Sequence, residues 1–288
     1  MMVIVLGSNG MLGSRITAHL RASTMRVVST SKNGNKSPDD LAFRAPDDDL
    51  FDLLKALRTQ PQYIINAIGI IKPRIREGDS VSLREAITIN SLLPYHVAEV
   101  AASIGAKVIQ IATDCVYSGL HGGYTETSAH DALDVYGKTK SLGEVSSPHV
   151  MNLRCSIVGP EVGRSTSLWE WAKGQPLNHE IEGFVDHLWN GVTTDAFAEV
   201  CRAAIENQIF FAGTSHLVPA DRVSKYELLQ QILARCERTD VRVIPTVSGV
   251  AVDRTLASND NHRNLNLWAN TSYSRAPKIA EMIGKVVL

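Results

Sequence analysis

The chain lacks any run of about eighteen apolar residues, so nothing in it reads as a membrane-spanning helix. Its apolar opening, residues 1–6, is too short for a secretory signal and has no basic leader, so it reads as a first strand and the protein as cytoplasmic. Cysteine is scarce. Cys115, Cys155, Cys201 and Cys236 form no Cys-x-x-Cys pair, and the nine histidines are scattered. That spacing argues against a zinc module and for reduced thiols, with no metal expected. Charge asymmetry is also missing: the net charge is −1, which argues against nucleic acid or an anionic membrane surface as partner. There is no internal repeat or low-complexity segment. What remains is 288 residues of ordinary globular composition, enough for one large α/β domain or one with a small attached lobe.

Glycine is placed rather than abundant. The strand-like residues 2–6 run into Gly7-Ser8-Asn9-Gly10-Met11-Leu12-Gly13, and residues 14–20 read as a helix. Small residues between a first strand and a helix let the backbone approach a pyrophosphate, with the helix N-terminus facing the anion. The spacing is Gly-x-x-Gly-x-x-Gly, so residues 7–13 form a candidate dinucleotide site that departs from the Gly-x-Gly-x-x-Gly fingerprint.

A second strand, residues 25–30, lacks the acidic residue that would hold the ribose of NAD. Ser31 and Lys32 stand there instead. Hydroxyls and a cation suit the 2′-phosphate of NADP, with Lys32 and Arg15 as candidate cations or plain surface charges. NADPH is therefore the expected cofactor, and NADH stays open. A short strand near 41–43, a helix over 50–57 and a strand over 62–66 follow. Ala67, Ile68 and Gly69 then offer small residues beside a cofactor or a plain strand end. Residues 82–104 read as one long helix containing Asn90, which is either a satisfied structural polar group or part of a catalytic relay.

The chain is organised around Thr113 to Lys140. Residues 107–112 form a buried-strand pattern that puts Thr113 at a strand's C-terminal edge, where open parallel sheets bind ligands. Tyr136 and Lys140 share one helix face if a helix starts near Asp134. An ammonium near a phenol lowers its pKa, and such a tyrosine can exchange a proton with a carbonyl or hydroxyl oxygen that the Thr113 hydroxyl holds.

These pieces, with Tyr124-x-Glu126, Gly143-Glu144 and the run 153–159, resemble the extended short-chain dehydrogenase/reductase family. Within it the chain is most similar to dTDP-4-dehydrorhamnose reductases and related nucleotide-sugar reductases, strongly over residues 1 to about 160. The resemblance implies a Rossmann-type doubly wound parallel sheet over 1–160. It implies a smaller substrate-binding lobe over 161–288, from which segments can return to the sheet. It makes Tyr136 the proton donor, Lys140 the residue that lowers its pKa and holds the nicotinamide ribose, Thr113 the carbonyl orienter and Asn90 a relay member. The implied activity is NADPH-dependent reduction of a nucleotide-linked 4-keto-6-deoxy sugar in polysaccharide biosynthesis. The rivals are a nucleotide-sugar 4-epimerase and a non-catalytic NADP-binding regulatory subunit. Dehydrating relatives carry Thr-Asp-Glu where this chain has Thr113-Asp114-Cys115, and cysteine is a poor stand-in for that base. A homodimer is left open by the same resemblance.

The substrate pocket is drawn from Val116 and Tyr117 and, in the second half, from Arg164, Trp169, Trp189, Asn190 and Arg254. A tryptophan can stack on a base and an arginine can pair with a diphosphate, or each can serve as core packing or surface charge. Thr193 and Ser224 read as helix caps.

Overall fold

The short apolar segments assemble into one parallel sheet. The computed structural model describes residues 1–34, 37–161, 163 and 165–288. The chain runs through β1 (Met2–Leu6), α1 (Met11–Arg21), β2 (Arg26–Ser31), β3 (Asp40–Ala42), α2 (Leu50–Lys55) and β4 (Tyr63–Asn66). Next come α3 (Ser80–Ile87), α4 (Leu93–Ile104), β5 (Lys107–Ala112), α5 (Val135–Leu142) and β6 (Val150–Arg154). The second half holds β7 (Ile157–Val158), α6 (Leu168–Lys173), β8 (Glu180–Phe184), β9 (His187–Trp189), β10 (Val192–Thr193) and α7 (Thr194–Glu206). It ends with β11 (Gly213–His216), β12 (Val223–Ser224), α8 (Lys225–Arg235), β13 (Arg242–Thr246), β14 (Val252–Asp253), α9 (Asn261–Ala269) and α10 (Ile279–Gly284).

The main sheet has the order β11-β6-β5-β4-β1-β2-β3, and its strands pair in parallel. Strand order reverses between β1 and β4, the switch point at which doubly wound sheets bind ligands. The expected α/β architecture is present. Alternation along β1 sorts its side chains: Val3 and Val5 join the core shared with α1 and α7, while Met2, Ile4 and Leu6 face the core of α2 and α4. Each such burial stabilises the fold by about 1.5–3 kcal/mol.

The helix expected over 82–104 is interrupted. α3 and α4 are joined by a π-helical turn over Thr88–Leu92, and Pro94 sits in the first turn of α4, where its missing N–H costs little. Residues after 160 are shared between two places. β11 extends the main sheet beside β6, and α7 packs on α1. The paired strands β8 and β13, and the small sheet β12-β9-β14, stand apart with α8. Thr193 caps α7 by accepting from the Ala196 amide at 3.2 Å, and Ser224 with Glu227 forms a capping box on α8. Among the described residues no helix is long and apolar enough to cross a membrane, and no cluster of His, Cys, Asp and Glu is arranged to hold a metal.

Candidate active site

A cleft of about 670 Å³ opens at the C-terminal ends of β1, β4 and β5. Its first wall is the glycine turn. Gly7 takes φ +83°, and a Cβ there would lie 2.9 Å from Ile68 Cγ1. The Gly7 and Ser8 amides donate to the Thr30 carbonyl at 3.1 and 2.8 Å, and the Gly10 amide donates to the Gly7 carbonyl at 3.1 Å. A Cβ on Gly13 would sit 2.2 Å from the Gly7 carbonyl oxygen, so α1 can rest directly on the turn only with glycine there. The N-cap residue Gly10 supplies no side chain to the first amides of α1, and the first turn has no acidic residue. Those amides are left for an anion. Gly10, Met11 and Leu12 line the cleft, Asn9 is exposed, and Ala67, Ile68 and Gly69 form the facing wall.

At the end of β2, Ser31 is buried with its hydroxyl unpartnered among the described residues, and Lys32 is exposed beside it. Arg44 reaches the same corner and donates to the Lys32 carbonyl at 2.9 Å, a second cation that its place in a polar connection concealed. Arg15 is not at this corner. It faces α7, with its guanidinium 3.9 Å from Asp195 and bonded to the Val287 carbonyl, partners too far along the chain for the sequence to reveal.

The third wall carries the polar trio. Thr113 caps the turn Asp114–Val116, accepting from the Cys115 amide at 3.2 Å and donating to Asp114 at 3.2 Å. Asp134 caps α5 through the Gly137 amide at 2.8 Å. A Cβ on Gly137 would fall 2.3 Å from the Cys115 carbonyl oxygen, so glycine lets α5 lie against this turn and sets Tyr136 beside Thr113. Thr113, Tyr136 and Lys140 all line the cleft.

The expected depression of the Tyr136 pKa is absent. Burial first, and the neighbouring Cys115 and Asp114 next, push the phenol above its usual range, while a hydrogen bond with Thr113 opposes them. The Lys140 ammonium instead donates to the Ile111 carbonyl at 2.8 Å, and burial brings its pKa down to about 8. Burial also raises Asp114, against the pull of Lys225 and Arg254, and pushes the Cys115 thiol up to about 12. A neutral thiol is no general base.

Asn90 is buried and fully engaged. Its amide donates to the Ile70 carbonyl at 2.9 Å and the Thr139 hydroxyl at 3.2 Å, and its oxygen accepts from the Ile70 amide at 2.9 Å. It clamps the segment after β4 to α5, the structural role that its partners give it.

Most residues expected in the substrate pocket lie elsewhere. Trp169 is wholly buried in the core, and Trp189 is 4% exposed with its indole donating to the Ser156 hydroxyl at 2.8 Å. Neither presents a face for stacking. Asn190 brackets the Leu256 backbone at 2.7 and 2.9 Å. Val116 and Tyr117 are buried behind the cleft. Arg254 donates to the Tyr117 carbonyl at 2.9 Å, and Arg164 lies outside the described residues. The Arg254 charge still reaches Asp114, Cys115 and Asp134, and two further cations, not singled out from the sequence, join it. Lys225 lies with its ammonium 5.5 Å from the Trp189 ring centroid, and its charge reaches Asp114 and Cys115. Arg74 lines the cleft. Its signal was a cluster of cations around Pro73 directly after the small residues 67–69.

The remaining motif residues form a polar hub under the cleft. Arg154, 1% exposed, donates to both Glu144 oxygens, to the Tyr117 hydroxyl at 2.5 Å, to His216 Nε2 at 2.7 Å and to His130 Nε2 at 2.8 Å. All five guanidinium N–H groups thereby find acceptors, provided both imidazoles are neutral. His216 Nδ1 then donates to the Ala257 carbonyl at 2.6 Å. Burial and the Arg154 charge bring the His216 pKa down to about 4.

Residues 1–266 match the family model described as the RmlD substrate binding domain. The chain is 24% identical over 243 residues to the methionine adenosyltransferase 2 subunit beta of Rattus norvegicus, covering 78% of this chain and 69% of that protein. A crystal structure of dTDP-4-dehydrorhamnose reductase from Bacillus anthracis in complex with NADP superimposes with a TM-score of 0.76 at 19% identity, covering 99% of this chain and 97% of the other. The UDP-glucuronic acid 4-epimerase of Bacillus cereus in complex with NAD gives 0.71 at 17% identity, covering 99% and 95%. At these identities the structural likeness is one of fold.

Proposed function

The chain belongs to the RmlD substrate binding domain family, within the extended short-chain dehydrogenase/reductases, and from that premise we propose that it reduces a nucleotide-linked 4-keto-6-deoxy sugar with NADPH. The observation that carries this reading is a single cleft shared by the glycine turn, the small residues 67–69 and the trio Thr113, Tyr136 and Lys140.

The cradle fits a dinucleotide. Gly7 and Gly13 occupy positions that a Cβ would block, and the first amides of α1 face the same space. Ser31, Lys32 and Arg44 would hold a 2′-phosphate. The cofactor, when bound, supplies hydride to the ketone carbon. Tyr136 holds its proton firmly at neutral pH, the state required to donate it to the ketone oxygen. Thr113 positions that oxygen by hydrogen bond. Lys140, on the same face of α5 and held at the Ile111 carbonyl, would hold the nicotinamide ribose beside Tyr136. Cys115, protonated and adjacent, offers no base for abstracting a proton from the sugar, which sets dehydration aside.

A second reading draws on the relatedness to a protein named as a subunit beta, which extends over 78% of the chain. In it the cleft binds NADP without turnover and the protein regulates another enzyme. Mixing the purified protein with NADPH and a panel of nucleotide-linked 4-keto-6-deoxy sugars separates the two. Loss of NADPH absorbance with one sugar, abolished in Tyr136→Phe, is the expected result. NADPH binding without loss on any sugar would favour the regulatory role, and tightly retained NAD with no net consumption would favour a 4-epimerase.

A further inference from the structure

The cleft carries a cation that the proton-transfer set does not use. Arg74 ends a short helical turn, Lys72–Arg74, on the cleft wall, and Pro73 stiffens it. The segment is stapled to the start of the Tyr136 helix. Lys72 Nζ lies 2.9 Å from Asp134 Oδ2, and the Val135 amide donates to Glu77 Oε1 at 3.3 Å. Ser82 braces it from behind, accepting from the Arg76 amide at 3.0 Å and donating to the Arg74 carbonyl at 3.4 Å. The backbone of Arg74 is thus held, yet its exposed guanidinium has no hydrogen-bond, ion-pair or ring partner among the described residues.

The other charged groups lining the cleft are engaged. Lys140 is bonded to the Ile111 carbonyl, and Asp114 is buried and accepts from Thr113. Glu161 accepts from the Thr166 and Ser167 amides at 2.7 and 2.9 Å. Arg74 is therefore the described lining residue with open cationic donors, and a guanidinium fork matches phosphate oxygens in geometry and charge. A cofactor pyrophosphate is already served by the glycine turn and α1, on the β1 side. Arg74 stands beyond Gly69, next to the start of α5.

We propose that Arg74 grips the diphosphate of a nucleoside-diphosphate-linked substrate and so anchors it with its sugar toward Tyr136. The inference rests on the nucleotide-sugar reading of the cleft.

Calorimetric titration of thymidine diphosphate and uridine diphosphate into the intact protein, Arg74→Gln and Arg74→Lys tests it, with NADPH titrated in parallel. Arg74→Gln should weaken binding of the better diphosphate by at least about tenfold, with Arg74→Lys intermediate and NADPH affinity unchanged within about twofold. The retained NADPH affinity also reports that the variants fold. Unchanged diphosphate binding, a loss confined to NADPH, or no diphosphate binding to the unaltered protein would each overturn the proposal. Binding is read without turnover, so a protein that holds diphosphate through Arg74 and reduces no sugar would sink the reductase reading alone.

Discussion

The Lys140 ammonium is bonded to the carbonyl of Ile111, 2.8 Å away at the end of β5, although Tyr136 stands one turn earlier on the same face of α5. The bond fixes the cation at the cleft wall, while burial opposes its charge and brings its pKa down to about 8.

Lys140→Met should therefore separate activity from stability. Turnover should fall by about a hundredfold or more, as expected for loss of a group that assists proton transfer. Stability at pH 7 should stay within about 1 kcal/mol, because the variant loses one hydrogen bond and the cost of a buried charge together. An unfolded lysine binds its proton up to about 10.5 and the folded one only to about 8, so stability rises with pH across that window. Denaturation curves at pH 7.5 and 10 should show the unaltered protein gaining on Lys140→Met; parallel behaviour would contradict the assignment.

Gly13→Ala should cost cofactor affinity before it costs the fold. The added Cβ meets the Gly7 carbonyl oxygen at 2.2 Å, so the turn or α1 must shift. At least about a tenfold rise in the NADPH Kd is expected, with a loss of about 1–3 kcal/mol in stability from the overpacked contact. Fluorescence titration and thermal unfolding read the two effects separately.

Acid should loosen the hub under the cleft. An unfolded histidine takes a proton below about 6.5, whereas folded His216 resists until about 4. Stability contributed by the neutral imidazole is present above 6.5 and is lost as pH falls through that interval, by roughly 3 kcal/mol from this group. Urea unfolding at pH 7, 5.5 and 4.5 should show a steady decline. A flat profile would mean that the imidazole facing Arg154 accepts a proton without penalty.

Arg154→Met should be among the most damaging changes outside the cleft. It leaves the Glu144 carboxylate, 8% exposed, without its guanidinium. Removing one partner of a buried pair costs about 3–5 kcal/mol. The double variant Arg154→Met with Glu144→Gln should recover part of the loss, and a double-mutant cycle measures how much.

The sheet and the gathering of Thr113, Tyr136 and Lys140 at one cleft were legible because their signals are local. Residues 2–6, 63–66 and 107–112 are short β-branched or apolar runs, and the glycine turn lies directly between a strand and a helix. Tyr136 and Lys140 needed only helical spacing. What stayed hidden depends on distant partners. Arg15 reads as a free cation until Asp195, 180 residues later, is seen beside it. Arg154 and Glu144 carry the family motif, but that they share one hub with His216 is visible only once β11 lies next to β6. Trp169 and Trp189 stand in stretches that read equally as stacking platforms or core, and packing alone decides for the core.

The edge position of β11 has a consequence for engineering new specificity. This strand comes from beyond residue 160, yet it covers the open side of β6, and α7 from the same stretch covers α1. A fragment cut at 160 would expose the backbone edge of β6 and an apolar helix face, both invitations to aggregate. The two halves are not interchangeable cassettes. Retargeting this protein means rebuilding loops around the cleft while keeping the returning strand and helix in place.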